Sequence, residues 1–307
     1  MDDIAEELHK QTKRPTKYRK VKCFAVNSIW SMDLVDMQGF HDTNKDYKYI
    51  LTCIDLFSRY AWGEKLKTKS GPEVAKAIIT LFKRAKNKPN KIWVDQGGEF
   101  YNKDVEKILG NIKLYSTYGK AKACIIERFN RTFKNMMYKQ FTKNGNHEWL
   151  NILQPLMKEY NNNYHRMIKA TPEEIYEGEN VIEPPESDEK NKHKNKFKIG
   201  DHVRISYDKK VFDKSYLPNW TAEIYTIETI KKTNPWMYKI KDRENNIIKG
   251  SFYESELQKT KNKDVFLVEE ILKKKKTKGK TMYLVKWVGY EKPTWEPKEN
   301  MPNKKNS

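Results

Sequence analysis

Residues 183–196, EPPESDEKNKHKNK, carry two prolines, no large apolar side chain and separate blocks of acidic and basic charge. That is linker composition, since such a segment has nothing to bury against a core. A domain boundary therefore falls there, and the sequence differs in kind on its two sides. Before it, β-branched and aromatic runs give way to stretches of helical period. After it come only short aromatic and β-branched runs split by polar turns. A second boundary falls near TKNKD, residues 260–264. At 307 residues the chain has room for two or three modules.

In the first half, SIWSMDLVDM and YKYILTCIDLFSRYAWGEKL read as strands separated by the polar turn HDTNKD. SGPEVAKAIITLFKRA then places Val74, Ile78, Leu81, Phe82 and Ala85 on one helical face, with Ser70 as its cap and Pro72 in its first turn. KIWVD is a buried strand running into QGGEF, and NKDVEKILG is a helix closed by Gly110. Ile126, Phe129, Phe133 and Met137 keep helical spacing through CIIERFNRTFKNMMYKQF. HEWLNILQPLMKEYNNNYHR continues the helical part, with Pro155 placed to kink it, and ATPEEIYEG adds a short capped helix. Strands followed by helices predict an α/β layer structure over residues 29–182.

Beyond the linker, FKIGDHVRISY, TAEIYTIETI, PWMYKIKD and NIIKGSFYESEL predict a small all-β barrel over residues 197–260. Residues 264–302 read as two strands and a third aromatic run, with the Lys273 to Lys276 run as a solvated hairpin turn, the alternative being a nuclear-import or phosphate-contacting patch. Ahead of everything, residues 1–28 form an arm. Its first ten residues are acidic, and residues 11–22, QTKRPTKYRKVK, hold six basic side chains and no acid, the pattern of a mobile strap.

Charge narrows the partner. The 61 Lys and Arg against 41 Asp and Glu leave +20, a self-repelling surplus that suits a polyanion, with nucleic acid first. No stretch approaches the roughly 18 apolar residues of a membrane span, so the sequence predicts a soluble, intracellular protein with no membrane partner. Cys23, Cys53 and Cys124 are too far apart for a disulfide framework or a CxxC pair.

Three acids stand out by setting. Asp33 lies inside the first strand, Asp95 at the C-terminal tip of another, and Glu127 early in a helix. Phosphodiester chemistry stabilises charge on both the attacking and the leaving oxygen, and two Mg²⁺ ions held by carboxylates do this. Asp33 and Asp36 are three apart, so strand alternation lets only one of them join such a site. Asp95 ends its strand where Gly97 and Gly98 permit an open loop, at the edge of an α/β sheet where ligands bind. Glu127, Arg131, Lys134 and Tyr138 share one helical face. Spacing alone does not identify the trio.

The motifs WSMDLVDM, CIDLFSRYAWG, WVDQGGEF and IIERFNRTFK, in that order, resemble the catalytic core of retroviral-type integrases, and most closely those of Polinton/Maverick DNA transposons. The resemblance implies an RNase H-like fold with a mixed sheet flanked by helices. It implies catalytic and metal-binding roles for Asp33, Asp95 and Glu127, and two Mg²⁺ ions for which Mn²⁺ can substitute. It also implies DNA contacts from Asn130, Arg131 and Lys134, with Lys120 and Lys122 in the preceding loop. That loop is shorter here than in retroviral relatives, with 31 residues between Asp95 and Glu127. Only His9 and Cys23 precede Trp30 as candidate zinc ligands, so no structural zinc of the four-ligand retroviral kind is expected.

The segment after the linker is similar to the SH3-like DNA-binding barrel that follows such cores, a module that can also serve oligomerisation alone. FLVEEIL, YLVKWVGY and TWEP resemble a chromodomain, which implies a methyl-lysine cage of Phe266, Trp287 and Tyr290 for a histone tail. Its first position is Phe where Tyr is usual. Together these resemblances imply an integrase acting in the host nucleus or packaged in a virus-like particle. It would be a dimer or tetramer that processes 3′ ends and joins element-end DNA to target DNA. The alternatives are a domesticated chromatin adaptor without catalysis and an RNase H-type nuclease.

Overall fold

The computed structural model describes residues 2–13, 21–116, 124–182, 194–207, 216–262, 266–277 and 279–301. The chain opens with helix α1 (Asp2–His9), then strands β1 (Ile29–Asp36), β2 (Tyr49–Asp55) and β3 (Ala61–Leu66). Helix α2 (Gly71–Arg84), β4 (Lys91–Trp93), α3 (Lys103–Leu109) and β5 (Lys113–Tyr115) follow, then helices α4 (Cys124–Asn144), α5 (Leu153–Asn162) and α6 (Pro172–Glu177). The second half holds β6 (His202–Ile205), β7 (Tyr225–Lys231), β8 (Met237–Lys241), β9 (Phe252–Tyr253) and β10 (Leu257–Lys259). Three more strands, β11 (Val268–Thr277), β12 (Lys280–Trp287) and β13 (Thr294–Pro297), complete it. The elements group into two compact units, Lys20–Ser187, and Met1–Arg19 with Asp188–Ser307.

The first unit is built on a mixed sheet of order β3-β2-β1-β4-β5, antiparallel from β1 to β3 and parallel from β1 to β5. Every residue of β2 is buried, as a central strand covered on both faces requires. Alternation sorts side chains between those faces. Trp30, Met32, Leu51, Cys53 and Ile92 pack against Val74, Ile78 and Leu81 of α2 and Val105 of α3. Val35, Ile50, Ile54 and Trp93 pack on the other face against Ile126, Phe129, Phe133 and Met137 of α4 and Leu156 of α5. The result is an α/β layer structure.

Two local expectations change. Ser70 makes no side-chain cap to α2. Glu73 in the first turn instead ties down the chain ahead of the helix, accepting from the Lys67 N–H at 2.6 Å and the Thr68 N–H at 2.8 Å. Pro155 causes no kink, since α5 begins at Leu153 and the proline lies in the first turn, where no backbone donor is needed. Around α6 the cap is reciprocal: Thr171 Oγ1 accepts from the Glu174 N–H and Glu174 Oε2 from the Thr171 N–H.

In the second unit, β10-β6-β7-β8-β9 form one antiparallel sheet around Phe197, Val203, Ile227, Tyr238, Ile240 and Leu257. The strap expected over residues 11–22 lies largely outside the described residues, but the acidic residues ahead of it are described. Asp2–His9 is an amphipathic helix whose Ile4 and Leu8 pack on Trp220. Leu8 O accepts from the N–H of Asn219 and of Trp220, and Lys10 O from Trp220 Nε1 at 2.7 Å. Glu7 lies 3.5 Å from Nε of the buried Arg204, whose Nη1 donates to Thr221 O and Ala222 O. Helix formation and docking arise together here, because an isolated helix of this length has too few bonds to offset its nucleation. The last sheet, β11-β12-β13, is antiparallel. Lys273 to Lys276 lie within β11, opposite Leu284 to Thr281, and not in the turn, so the run is one edge of a ladder.

Candidate active site

The sheet register brings two of the three acids together. In the parallel pairing of β1 with β4, Ser31 lies opposite Trp93, and Ser31 Oγ donates to Trp93 O at 3.1 Å. Asp33 lies two residues further along β1, a step that keeps it on the face of Ser31, and Asp95 lies two residues past Trp93, just beyond the end of β4. That face is the one α4 covers. Asp36 points the other way; its carboxylate accepts from the Gln38 backbone and side chain, both at 2.9 Å, and so organises the following turn.

Asp33 is half-buried and held from two sides. Its Oδ1 accepts from the Leu34 N–H and its Oδ2 from Asn130 Nδ2, each at 2.8 Å. Burial pushes its carboxyl up from the usual range, and the negative charges of Asp95 and Glu127 push the same way, against the two hydrogen bonds. Asp95 and Glu127 thus each lie within electrostatic reach of Asp33. Among the described residues, no three His, Cys, Asp or Glu side chains stand close enough to hold a metal ion as a ready-made set. The donors are nevertheless those a hard divalent cation prefers: carboxylate oxygens whose mutual repulsion a cation relieves, beside the buried Asn130 Oδ1, which has no hydrogen-bond partner.

Around Asp95, neither Gly97 nor Gly98 has positive φ. A Cβ at Gly98 would meet nothing within 4 Å, so the loop is open by its position and not by glycine's backbone freedom.

On α4, Glu127, Arg131, Lys134 and Tyr138 are exposed along one face. Asn130, expected among the DNA contacts, is 7% exposed and donates its side-chain amide to Asp33. Its signal was present in the sequence as a polar residue on the apolar stripe of Ile126, Phe133 and Met137. Lys120 and Lys122, and with them the loop before Glu127, lie outside the described residues. In the second unit, the Phe266 ring centroid is 5.7 Å from that of Trp287 and 5.4 Å from that of Tyr290, both edge-on.

Residues 25–124 match the integrase core domain, and residues 266–307 match the chromodomain, the chromatin organisation modifier. Two segments of the chain are thus similar to known domains, one to an integrase core and one to a chromodomain. The integrase core match contains Asp33 and Asp95 and ends three residues before Glu127. A putative transposon-derived protein of Caenorhabditis elegans is 35% identical over 191 residues, covering 62% of this chain and 65% of the relative. The retrovirus-related Pol polyprotein from transposon 297 of Drosophila melanogaster is 22% identical, covering 87% of this chain. The chain spans 24% of that polyprotein and just under two thirds of the nematode relative. Among solved structures, the simian T-cell lymphotropic virus intasome contains a chain similar to this one at a TM-score of 0.61 and 14% identity, covering 81% of this chain and 84% of that one. At that identity the likeness is one of fold.

Proposed function

We propose that this chain is the integrase of a mobile element of the Polinton/Maverick kind, a polynucleotidyl transferase that trims element 3′ ends and joins them to target DNA. The observation that carries this reading is that Asp33, held by Asn130 of α4, feels the charges of both Asp95 and Glu127, inside and beside a segment that matches an integrase core domain. These three side chains are the Mg²⁺ ligands. When bound, a pair of such ions stabilises charge on the attacking and leaving oxygens of a phosphodiester. Asn130 and the Leu34 N–H fix the plane of the Asp33 carboxylate. Arg131 and Lys134 offer exposed cations to DNA phosphates beside Glu127.

The five-stranded sheet of the second unit serves as an SH3-like DNA-binding module, and the chromodomain engages a methylated lysine of a histone tail. The protein works as a homo-oligomer in the host nucleus, because two element ends must be joined in concert. The test is strand transfer with matched DNA ends in Mg²⁺ or Mn²⁺. Asp95→Asn should abolish end trimming and joining while DNA affinity changes by less than about threefold, since no phosphate-binding cation is removed. Retained joining would contradict the role of Asp95, and cleavage of RNA:DNA hybrids without joining would favour a nuclease.

A further inference from the structure

The ring that opens the aromatic trio already has a cation on it. Arg243 lies in the turn after β8, and its guanidinium carbon sits 4.4 Å from the centroid of Phe266, well inside cation–π range. Its charge also favours ionisation of the Tyr290 hydroxyl, against the larger effect of burial. The turn is built to present it. Asp242 Oδ1 accepts from the Asn246 N–H at 2.8 Å and its Oδ2 from Asn246 Nδ2 at 3.0 Å, and Asn245 takes a left-handed φ of 64°.

Three further contacts fix the aromatic turn against the five-stranded sheet. Tyr290 Oη accepts from the Ile224 N–H at 3.3 Å, and Lys292 Nζ meets Glu244 Oε1 at 3.0 Å. Gly289, at φ 83°, lies so close to Glu223 that a Cβ there would fall 2.6 Å from Glu223 Cγ. Arg243 is itself exposed, while Phe266 beneath its guanidinium is partly buried.

We infer that Arg243 closes the chromodomain's cation site in cis, so that a trimethyl-lysine enters only when the Asp242–Asn246 turn withdraws. Two cations cannot share one ring face, and the arginine is tethered while the lysine must come from solution. The free ligand therefore sees only the fraction of molecules in which the lid is off. This rests on reading Phe266, Trp287 and Tyr290 as a methyl-lysine cage. Adding the core-carrying unit is not needed for the device, because lid, rings and supporting contacts all lie in the second unit.

The experiment titrates the full chain and its Arg243→Gln variant with a short fluorescent peptide containing one trimethyl-lysine, and with its unmethylated twin. Arg243→Gln should bind the methylated peptide about tenfold more tightly than the unaltered chain, with no gain for the twin, as expected if about one molecule in ten is open. Equal affinity in the two chains would overturn the lid and leave the cage standing. Failure of both chains to prefer the methylated peptide would overturn the cage, and the lid with it. Proton NMR gives an independent readout. The Arg243 side-chain signals should be shifted upfield by the Phe266 ring current in the unaltered chain and return on Phe266→Leu; unshifted signals in the unaltered chain would also refute the closure.

Discussion

Asn130 shows how much one side chain can decide. It sits on the buried stripe of α4, where a polar group is costly unless bonded, and its amide is satisfied by Asp33 across 97 residues of sequence. Asn130→Ala should leave the fold intact at a cost of about 1 kcal/mol, read from the urea midpoint, because one bond to a charged group is lost while an unpartnered oxygen is removed with it. Strand transfer should fall much further than stability, since the carboxylate plane is released. Equal activity in the variant would show that the Leu34 N–H holds Asp33 alone. The choice between Asp33 and Asp36 belongs to this scale too. Strand alternation excluded a shared face, and the Gln38 contacts of Asp36 show which of the two turns away.

At the level of elements, the Glu73 clamp ahead of α2 and one docked helix carry predictions. Glu73 is partly buried, which pushes its carboxyl up, but the Thr68 hydroxyl and the backbone N–H groups of Lys67 and Thr68 outweigh this and hold it below the usual range. A carboxyl lower in the folded state than in the unfolded one contributes stability in full above its unfolded value. That contribution fades as pH falls through the folded value. Glu73→Gln should therefore lower the urea midpoint at neutral pH and leave it nearly unchanged in strong acid, whereas Ser70→Ala should have little effect at either pH. Helix α1 is a different case, because its stability is tertiary. Leu8→Ala removes a buried side chain from the cluster with Ile4 and Trp220 and should cost about 2 kcal/mol. Hydrogen exchange should report it, with the amides of Asn219 and Trp220, which Leu8 O accepts, losing protection first. Unchanged protection would mean that α1 contributes nothing to the sheet it covers.

For the molecule as a whole, charge and architecture set the behaviour. With a net charge of +20, DNA affinity should fall steeply as salt rises. Lys134→Ala should weaken binding to all DNA sequences alike and reduce the log–log salt slope by about 1, measured by anisotropy over a salt series. A slope unaffected by Lys134→Ala and Arg131→Ala would place the DNA on another face. The sequence by itself determined the helices of the core, the alternation of its strands and the pairing of an α/β half with all-β segments, because those patterns repeat within a few residues and depend on burial alone. It also singled out Asp33, Asp95 and Glu127 through motif order. Only the tertiary structure decided that the N-terminal helix covers a sheet some 210 residues away, that Asn130 supports Asp33, and that Arg243 rests on Phe266. Such contacts join residues with no fixed spacing, so their energy exists only once distant backbone has been brought together, and no local pattern records them.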